Sequence, residues 1–225
     1  MPSLPPDILQ AFLRTIEMKD DATAAHTWRV VLYARALAES YGVDDDTLKR
    51  ITYAAAMHDL GKLDIPDEIL RKPGKLTDDE FEVIKRHAAF GHERLVNMGE
   101  EDPIMLDIVR HHHERMDGKG YPDGLVGEAI PIPARMFSVI DTFDAMTSVR
   151  PYRRELGAEA AEKALLELKH GEGTRYDPAA VAVFTKLYRA GSLTWIMQYF
   201  NDAAQLPTYG GDEDHDKVAP GVKTS

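Results

Sequence analysis

The sequence predicts an all-α protein that forms a single helical bundle, and three observations support this fold class. Apolar residues recur at intervals of three and four along most of the chain up to about residue 206, which is the repeat of amphipathic helices. No region shows the sustained alternation of apolar and polar residues that several strands would require. No internal repeat or low-complexity linker interrupts this part of the chain, which indicates one domain.

The helices of the first half are predicted from this apolar spacing. An N-terminal helix carries five apolar residues at helical intervals: Ile8, Leu9, Phe12, Leu13 and Ile16. A second helix carries four residues on one face: His26, Val30, Tyr33 and Leu37. A third helix is predicted over 46–59. Thr77 and Glu80 form a capping-box pattern, and this box opens one helix whose apolar face includes Phe81, Ile84, Ala88, Gly91 and Leu95.

The second half continues in the same way. Helices are predicted over 103–113, 133–148, 158–169 and 178–190. A last helix is predicted by the spacing of Leu193, Ile196, Met197, Phe200 and Ala204. The expected organisation is a lead-in helix over 1–18, the main domain over 19–190 and a C-terminal helix over 191–206 packed on it. The polar, Gly- and Pro-containing stretch 207–225 is expected to be a disordered tail.

Charge and composition narrow the class of protein. The 27 basic and 38 acidic residues give a net charge of −11, which argues against binding to nucleic-acid polymers or anionic membranes. An anionic substrate would therefore need a locally positive site. The chain has no cysteine, which fits a reducing compartment and excludes thiolate metal sites. It shows neither a secretory signal nor an apolar run of about 20 residues, so we expect a cytoplasmic protein without membrane contact.

The histidines and aspartates point to chemistry. The stretch HHHERMDGKGYP at 111–122 contains three of the nine histidines. His58 and Asp59 end an Ala-rich helix, and Asp141 lies inside an apolar one. His26 and His87 fall on apolar helix faces, whereas His92, five residues after His87, is rotated about 140° away and is expected to face solvent.

Each of these side chains alone is more often structural than a ligand. Together they would leave many polar groups unsatisfied in one helical core. A single multinuclear metal site satisfies all of them, because imidazole and carboxylate are common ligands of divalent cations.

The ordered motifs resemble the HD-GYP subfamily of the HD-domain metal-dependent phosphohydrolases. The matching segments are HDLGKLDIPDEILRKPGKLTDDEFEVIKRH, HHERMDGKGYPDGLVGEAIPIPARMFSVIDTFDAMTSVRPYR and RYDPAAVAVF. They cover roughly residues 19–185. The resemblance implies an all-α bundle around two or three metal ions in the domain 19–190, and hydrolysis of cyclic di-GMP to pGpG, GMP or both by a metal-activated hydroxide.

The resemblance also assigns residues. The implied metal ligands are His26, His58, Asp59, His87, His112, His113 and Asp141, with Asp59 bridging two metals. His111 lies outside the family pattern. Members with three metals have a glutamate four residues before the first histidine, where this chain has Ala22. We therefore expect two divalent transition-metal ions, iron or manganese first, with zinc, nickel and cobalt as alternatives.

Substrate contacts follow from the same resemblance. Asp59 and Lys62 are the implied catalytic residues. The implied substrate-binding residues are Lys62, Gly120, Tyr121, Asp144, Arg150 and Arg153. Lys62 would contact a phosphate and stabilise the leaving group, and Tyr121 would stack on guanine or bond a phosphate. Gly118 and Gly120 are expected to adopt backbone conformations closed to other residues, and Glu114, Arg115 and Asp117 to tie this loop to the helices.

Two other functions stay open at this level. One is hydrolysis of another cyclic dinucleotide such as cyclic GMP-AMP, or of nucleotide monophosphates. The other is a non-catalytic interaction module that uses the GYP surface. The partners left open beside the substrate are a separate regulatory or GGDEF-type signalling protein and a second copy of this chain.

Overall fold

In the computed structural model, residues 6–19, 23–148 and 157–197 are described, and their regular structure is helical. The α-helices of the first half are α1 Pro6–Lys19, α2 Thr23–Ser40, α3 Asp45–Met57, α4 Asp67–Leu70 and α5 Asp78–Lys85. Those of the second half are α6 His87–Asn97, α7 Pro103–His111, α8 Ile132–Thr147, α9 Ala158–His170 and α10 Pro178–Arg189. Short 3₁₀-helices cover Leu60–Asp64 and Gly127–Ala129.

This arrangement confirms the all-α fold class. Within the described ranges, β pairing is limited to isolated bridges, Asp117 with Val126 and Glu172 with Tyr176. The last predicted helix is observed over 194–197, and its continuation, with Phe200 and Ala204, lies outside the described residues. None of the helices in the described part of the chain has both the length and the apolar character needed to cross a bilayer.

Helix starts follow the capping chemistry of the sequence. The Thr77 hydroxyl accepts a hydrogen bond from the Glu80 amide, and the Glu80 carboxylate accepts one from the Thr77 amide, which confirms the capping box. Asp44 and Asp177 cap α3 and α10 with their carboxylates. These caps satisfy amide groups that have no partner inside the helix.

One predicted helix is broken in two. The sequence pattern runs unbroken from Phe81 to Leu95, but α5 ends at Lys85 and α6 begins at His87. The Arg86 amide donates to Val83, three residues back, which tightens the turn. Phe81, which is predicted on the apolar face, is 48% exposed. The periodicity could not reveal the break, because Arg86 keeps α-helical dihedral angles.

The apolar core places the helices that carry the polar residues of interest. Tyr33 of α2, Phe143 of α8 and Phe184 of α10 are fully buried. Their ring centroids are 5.7 Å apart for Tyr33–Phe143, 5.9 Å for Tyr33–Phe184 and 4.9 Å for Phe143–Phe184. Such aromatic packing contributes beyond area burial. It sets α2 beside α8, and α3 packs along both α2 and α7.

Asp102 joins α3 to α7 and gives a first test of the fold. Its carboxylate caps α7 at the Ile104 amide, 2.8 Å away, and accepts both arms of the Arg50 guanidinium at 2.6 and 2.9 Å. We expect Asp102→Ala to lower the free energy of unfolding by about 2–4 kcal/mol, because it removes a cap and leaves the half-buried Arg50 unpaired. Urea titration measures this change.

The pH dependence and a control complete this test. Burial raises the pKa of the Asp102 carboxyl, but Arg50 and the backbone amides outweigh burial and hold it below its usual range. The stabilisation is therefore present above about pH 4 and is lost as pH falls further. The exposed Asp45, in the first turn of α3, is the control, and Asp45→Ala should change stability by less than about 1 kcal/mol. Equal losses for both variants would contradict the assignment.

Candidate metal centre

The seven side chains predicted as metal ligands converge in the middle of the bundle. They come from α2 (His26), the end of α3 (His58 and Asp59), the start of α6 (His87), the end of α7 (His112 and His113) and α8 (Asp141). Four of them are buried: His58, Asp59, His87 and His112. Their polar atoms lie where water cannot satisfy them, so this burial requires another partner.

The ligand atoms form two groups. His87, His112 and His113 make one, and His26, His58 and Asp141 make the other, with the ligand atoms of each group within 4.8 Å of one another. Asp59 lies between them: its Oδ1 is 3.5 Å from His87 Nε2, and its Oδ2 is 3.2 Å from His58 Nε2. One carboxylate therefore faces both groups, which is the position that a bridging ligand requires.

The hydrogen bonds of the imidazoles show that these groups fit a cation. His58 Nδ1 lies 2.8 Å from the Ala55 carbonyl, and His87 Nδ1 lies 2.8 Å from the Ile84 carbonyl. His112 Nδ1 lies 2.9 Å from the Ile108 carbonyl. A carbonyl only accepts, so each Nδ1 must carry a proton, and each ring in its neutral form then has a lone pair at Nε2.

These lone pairs face one another. His26 Nε2 is 3.3 Å from His58 Nε2, and His87 Nε2 is 3.2 Å from His112 Nε2. Two acceptors at this distance cannot satisfy each other, whereas a metal ion between them would satisfy both. The positions of these imidazole nitrogens therefore suit the binding of divalent metal ions.

The electrostatics of the His87 group and of Asp59 favour the protonation states that bind metal, whereas at His58 burial lowers the pKa but the Asp59 carboxylate outweighs burial and raises it. Burial lowers the pKa of His87. It lowers the pKa of His112 well below the usual value and the pKa of His113 to about 3. Burial raises the pKa of the Asp59 carboxyl, but His58 and Lys62 outweigh it and hold this pKa well below its usual range. Three neutral imidazoles and an ionised carboxylate are the forms that coordinate a cation.

Asp144 is held within the protein. It is predicted from the resemblance as a substrate contact, yet it is 0% exposed. Its Oδ2 lies 2.7 Å from His26 Nδ1, and the Arg29 guanidinium donates to Oδ1 at 2.6 Å and to Oδ2 at 3.0 Å. The Ser148 hydroxyl also donates to Oδ2 at 2.9 Å. Since Nδ1 of His26 donates to this carboxylate, Nε2 is left free towards the metal position.

Arg29 is a residue that sequence reasoning missed. It is 3% exposed and lies on α2, three residues after His26, among the core residues of that helix. A buried arginine nearly always has a charged partner. Its spacing from His26 was therefore an available signal that a carboxylate lies next to this histidine.

Lys62 lies at the predicted catalytic position beside Asp59. Its Nζ is 2.7 Å from Asp59 Oδ2, and its side chain is partly exposed. It projects from the 3₁₀-helix Leu60–Asp64, which packs on α6. Gly61 permits this close approach: a Cβ there would collide with the His87 carbonyl and lie 2.5 Å from the Gly91 amide nitrogen.

The loop of residues 117–126, which is predicted to border the substrate and is called the substrate loop below, is fastened beside the His87 group. The Glu114 carboxylate accepts the amides of Asp123, Gly124 and Leu125 at 2.7–3.0 Å, and Arg115 pairs with Asp117. The Glu114 bonds confirm the tying role expected for Glu114, whereas the pair of Arg115 with Asp117 joins residues two apart and reaches no helix. The ring centroid of Tyr121 is 4.7 Å from that of His113.

The two glycines of the loop serve different purposes. Gly118 has a φ of +73°, as expected for a left-handed position. Gly120 does not have a positive φ, so the expected conformational reason is wrong for it. A Cβ there would lie 2.5 Å from Glu114 Cα, and space against the backbone is what requires the glycine.

Other predicted residues fall away from the ligand groups. His111 belongs to neither group, and its Nε2 is 3.1 Å from Asp123 Oδ2. His92 is half-buried instead of fully exposed, and burial lowers its pKa, as do Arg110 and His111 nearby. Arg150, Arg153 and Ala22 lie outside the described residues.

Comparison with known proteins agrees with this geometry. A family model described as "HD domain" matches residues 10–180. The cyclic di-GMP phosphodiesterase response regulator RpfG of Xanthomonas campestris pv. campestris is 44% identical over 203 residues, which are 89% of this chain and 52% of that protein. The 3'3'-cGAMP-specific phosphodiesterase 2 of Vibrio cholerae is 34% identical over 177 residues, 78% of this chain and 33% of that protein.

A solved structure supports the fold. Bd1817, an HDG"Y"P protein from Bdellovibrio bacteriovorus, superposes with a TM-score of 0.60 at 20% identity, over 82% of this chain and 62% of that one. The chain spans about half the length of the first curated relatives it matches. With three quarters of its length matched by the family model and its ligand motifs gathered at one centre, the chain belongs to the HD domain family.

Proposed function

We propose that this chain is a metal-dependent phosphodiesterase that hydrolyses cyclic di-GMP to pGpG, GMP or both, in the bacterial cytoplasm. The observation that carries this proposal is the pair of three-ligand groups joined by Asp59. A binuclear site of this kind suits in-line displacement at a phosphodiester. Several curated relatives named cyclic di-GMP phosphodiesterases support the choice of substrate.

The proposed cofactors are two divalent transition-metal ions, iron or manganese. One would be held by His87, His112 and His113, and the other by His26, His58 and Asp141, with Asp59 shared. Five imidazoles and two carboxylates are a donor set that suits these metals better than magnesium or calcium. When bound, the two ions supply Lewis-acid activation of water and of the phosphodiester.

The remaining roles belong to side chains of the chain itself. Lys62 places an ammonium group beside Asp59, where we propose that it contacts a phosphate oxygen and stabilises the leaving oxygen. Gly120 and Tyr121 would border the substrate, and Arg150 and Arg153 are proposed as its phosphate or guanine contacts on the family resemblance. Asp144 is proposed to orient His26 and not to contact substrate, since both of its oxygens are occupied.

Metal and product analysis of the same preparation tests this proposal. Protein purified anaerobically with metal supplied should contain two transition-metal ions per chain and should convert cyclic di-GMP to pGpG or GMP. About one ion or fewer would contradict the binuclear site. Three ions would show that Ala22 does not limit the metal count. Protein with two ions that turns over no cyclic dinucleotide would contradict the enzymatic function and favour the interaction module.

Hydrolysis of cyclic GMP-AMP is the second candidate. The observation that favours it is the 34% identity to a Vibrio cholerae phosphodiesterase named for 3'3'-cGAMP. Parallel measurements of kcat/KM on the two cyclic dinucleotides decide between the candidates. A higher value on cyclic GMP-AMP would replace cyclic di-GMP as the proposed substrate while leaving the metal site and reaction type unchanged.

A further inference from the structure

We infer that Arg110 and His111 position the substrate loop by holding the Asp123 carboxylate, so that the first histidine of the triplet, His111, is a loop anchor and not a metal ligand. This inference rests on the proposed phosphodiesterase function. It assigns a role to two residues that the metal centre does not use, and to a side chain of the loop beyond Tyr121.

The contact is a three-donor clamp on one carboxylate. Arg110 Nε lies 2.7 Å from Asp123 Oδ2, and its Nη2 lies 2.7 Å from Oδ1. His111 Nε2 lies 3.1 Å from Oδ2. A guanidinium fork fixes a carboxylate in orientation as well as in distance. His111 donates to the same carboxylate from a second direction, and this further restricts rotation of the Asp123 side chain.

A second anchor holds the backbone of the same residues. Glu114 accepts the amides of 123–125, while Arg110 and His111 hold the Asp123 side chain. All three anchoring residues flank His112 and His113, the metal ligands at the end of α7. The loop is therefore built as one unit with these two ligands, and Tyr121, two residues before Asp123, lies against His113.

The exposure of the clamp indicates what it contributes. The Arg110 and Asp123 side chains are 28% and 32% exposed. Ion pairs this accessible to water add little to global stability. A loop that has to be ordered when the substrate binds, by contrast, weakens binding by up to about ten-fold for each side chain that becomes immobilised. The clamp should thus affect substrate binding much more than folding.

The test compares kinetics with loop protection in the metal-loaded enzyme. Asp123→Ala should raise KM for cyclic di-GMP roughly ten-fold and change kcat by less than about three-fold, because the loop would have to be ordered on binding. Metal content and melting temperature should stay close to wild type. Amide exchange of the peptide that contains 123–125 should accelerate. Arg110→Ala should have a similar effect, and the double variant should be no worse than the single ones, because both remove the same contact.

A matched control separates positioning from a general loss of ion pairs. Glu162 pairs with both arms of Arg189 between α9 and α10, so Glu162→Ala removes a comparable surface contact away from the loop. It should leave KM unchanged. If the wild type is active but Asp123→Ala keeps the wild-type KM and the wild-type rate of loop exchange, the clamp is overturned and the proposed function stands. Metal-loaded wild type without turnover would instead contradict the proposed function, and loop exchange would still test the clamp.

Discussion

Asp59→Ala is expected to abolish hydrolysis of cyclic di-GMP and to remove at least one metal ion per chain. Asp59 is the side chain that faces both ligand groups, with Oδ1 towards His87 and Oδ2 towards His58. Its loss would remove a shared ligand and one negative charge among histidines. We expect the rate to fall by at least 10²–10³-fold, on the order found when charge stabilisation is lost from an active site.

Asp64→Ala is the matched control for this experiment. Asp64 belongs to the same short segment, but it is partly exposed and pairs with Arg94 at the surface. Its removal should leave metal content and hydrolysis near wild type. Metal analysis and turnover are measured on both proteins after the same anaerobic preparation. If Asp59→Ala kept two ions and its activity, the bridging position assigned to Asp59 would be wrong.

Arg29→Ala is expected to lower the free energy of unfolding by about 3–5 kcal/mol and to weaken metal binding at the His26 group. The variant would leave the Asp144 carboxylate without its guanidinium partner at 0% exposure. Removing one member of a buried ion pair strands the other charge. Because Asp144 also accepts from His26 Nδ1, the ring that it orients should lose its fixed direction.

The pH dependence of this loss follows from the carboxylate. Burial raises the pKa of Asp144, but His26 and Arg29 outweigh burial and hold it far below the usual range. A depressed pKa means that the stabilisation is present above the unfolded value of about 4 and is lost as pH falls towards the folded value. The difference between wild type and Arg29→Ala should therefore be largest near neutral pH and shrink below about pH 4.

Arg35→Ala supplies the comparison on the same helix. Arg35 pairs with Glu39 one turn further on, and both side chains are about half exposed. Such a pair is worth roughly 0.3–0.5 kcal/mol, so the control should be close to wild type in urea titration and in metal content. A loss in Arg29→Ala no larger than that in Arg35→Ala would contradict the buried pair.

The sequence was sufficient for most of the helices and insufficient for one junction. Apolar spacing and capping residues are local signals, so α3, α7, α8, α9 and α10 lie within about two residues of their predicted bounds. The break at Arg86 produces no such signal, because the residue stays helical in its dihedral angles. His87 is buried at the start of α6, which packs on the 3₁₀-helix Leu60–Asp64 and on α7.

The polar residues of the site likewise include some that could be predicted from the sequence and others whose partners could not. The sequence by itself determined that this chain is helical, and it predicted, through the family resemblance, which histidines and aspartates share a metal site. Only the tertiary structure decided that Asp144 faces Arg29 and His26, and that His111 faces Asp123 while His112 faces His87. The physical reason is that periodicity is a local signal. It shows which face of a helix a residue occupies, whereas the partner of that residue depends on how separate helices pack together.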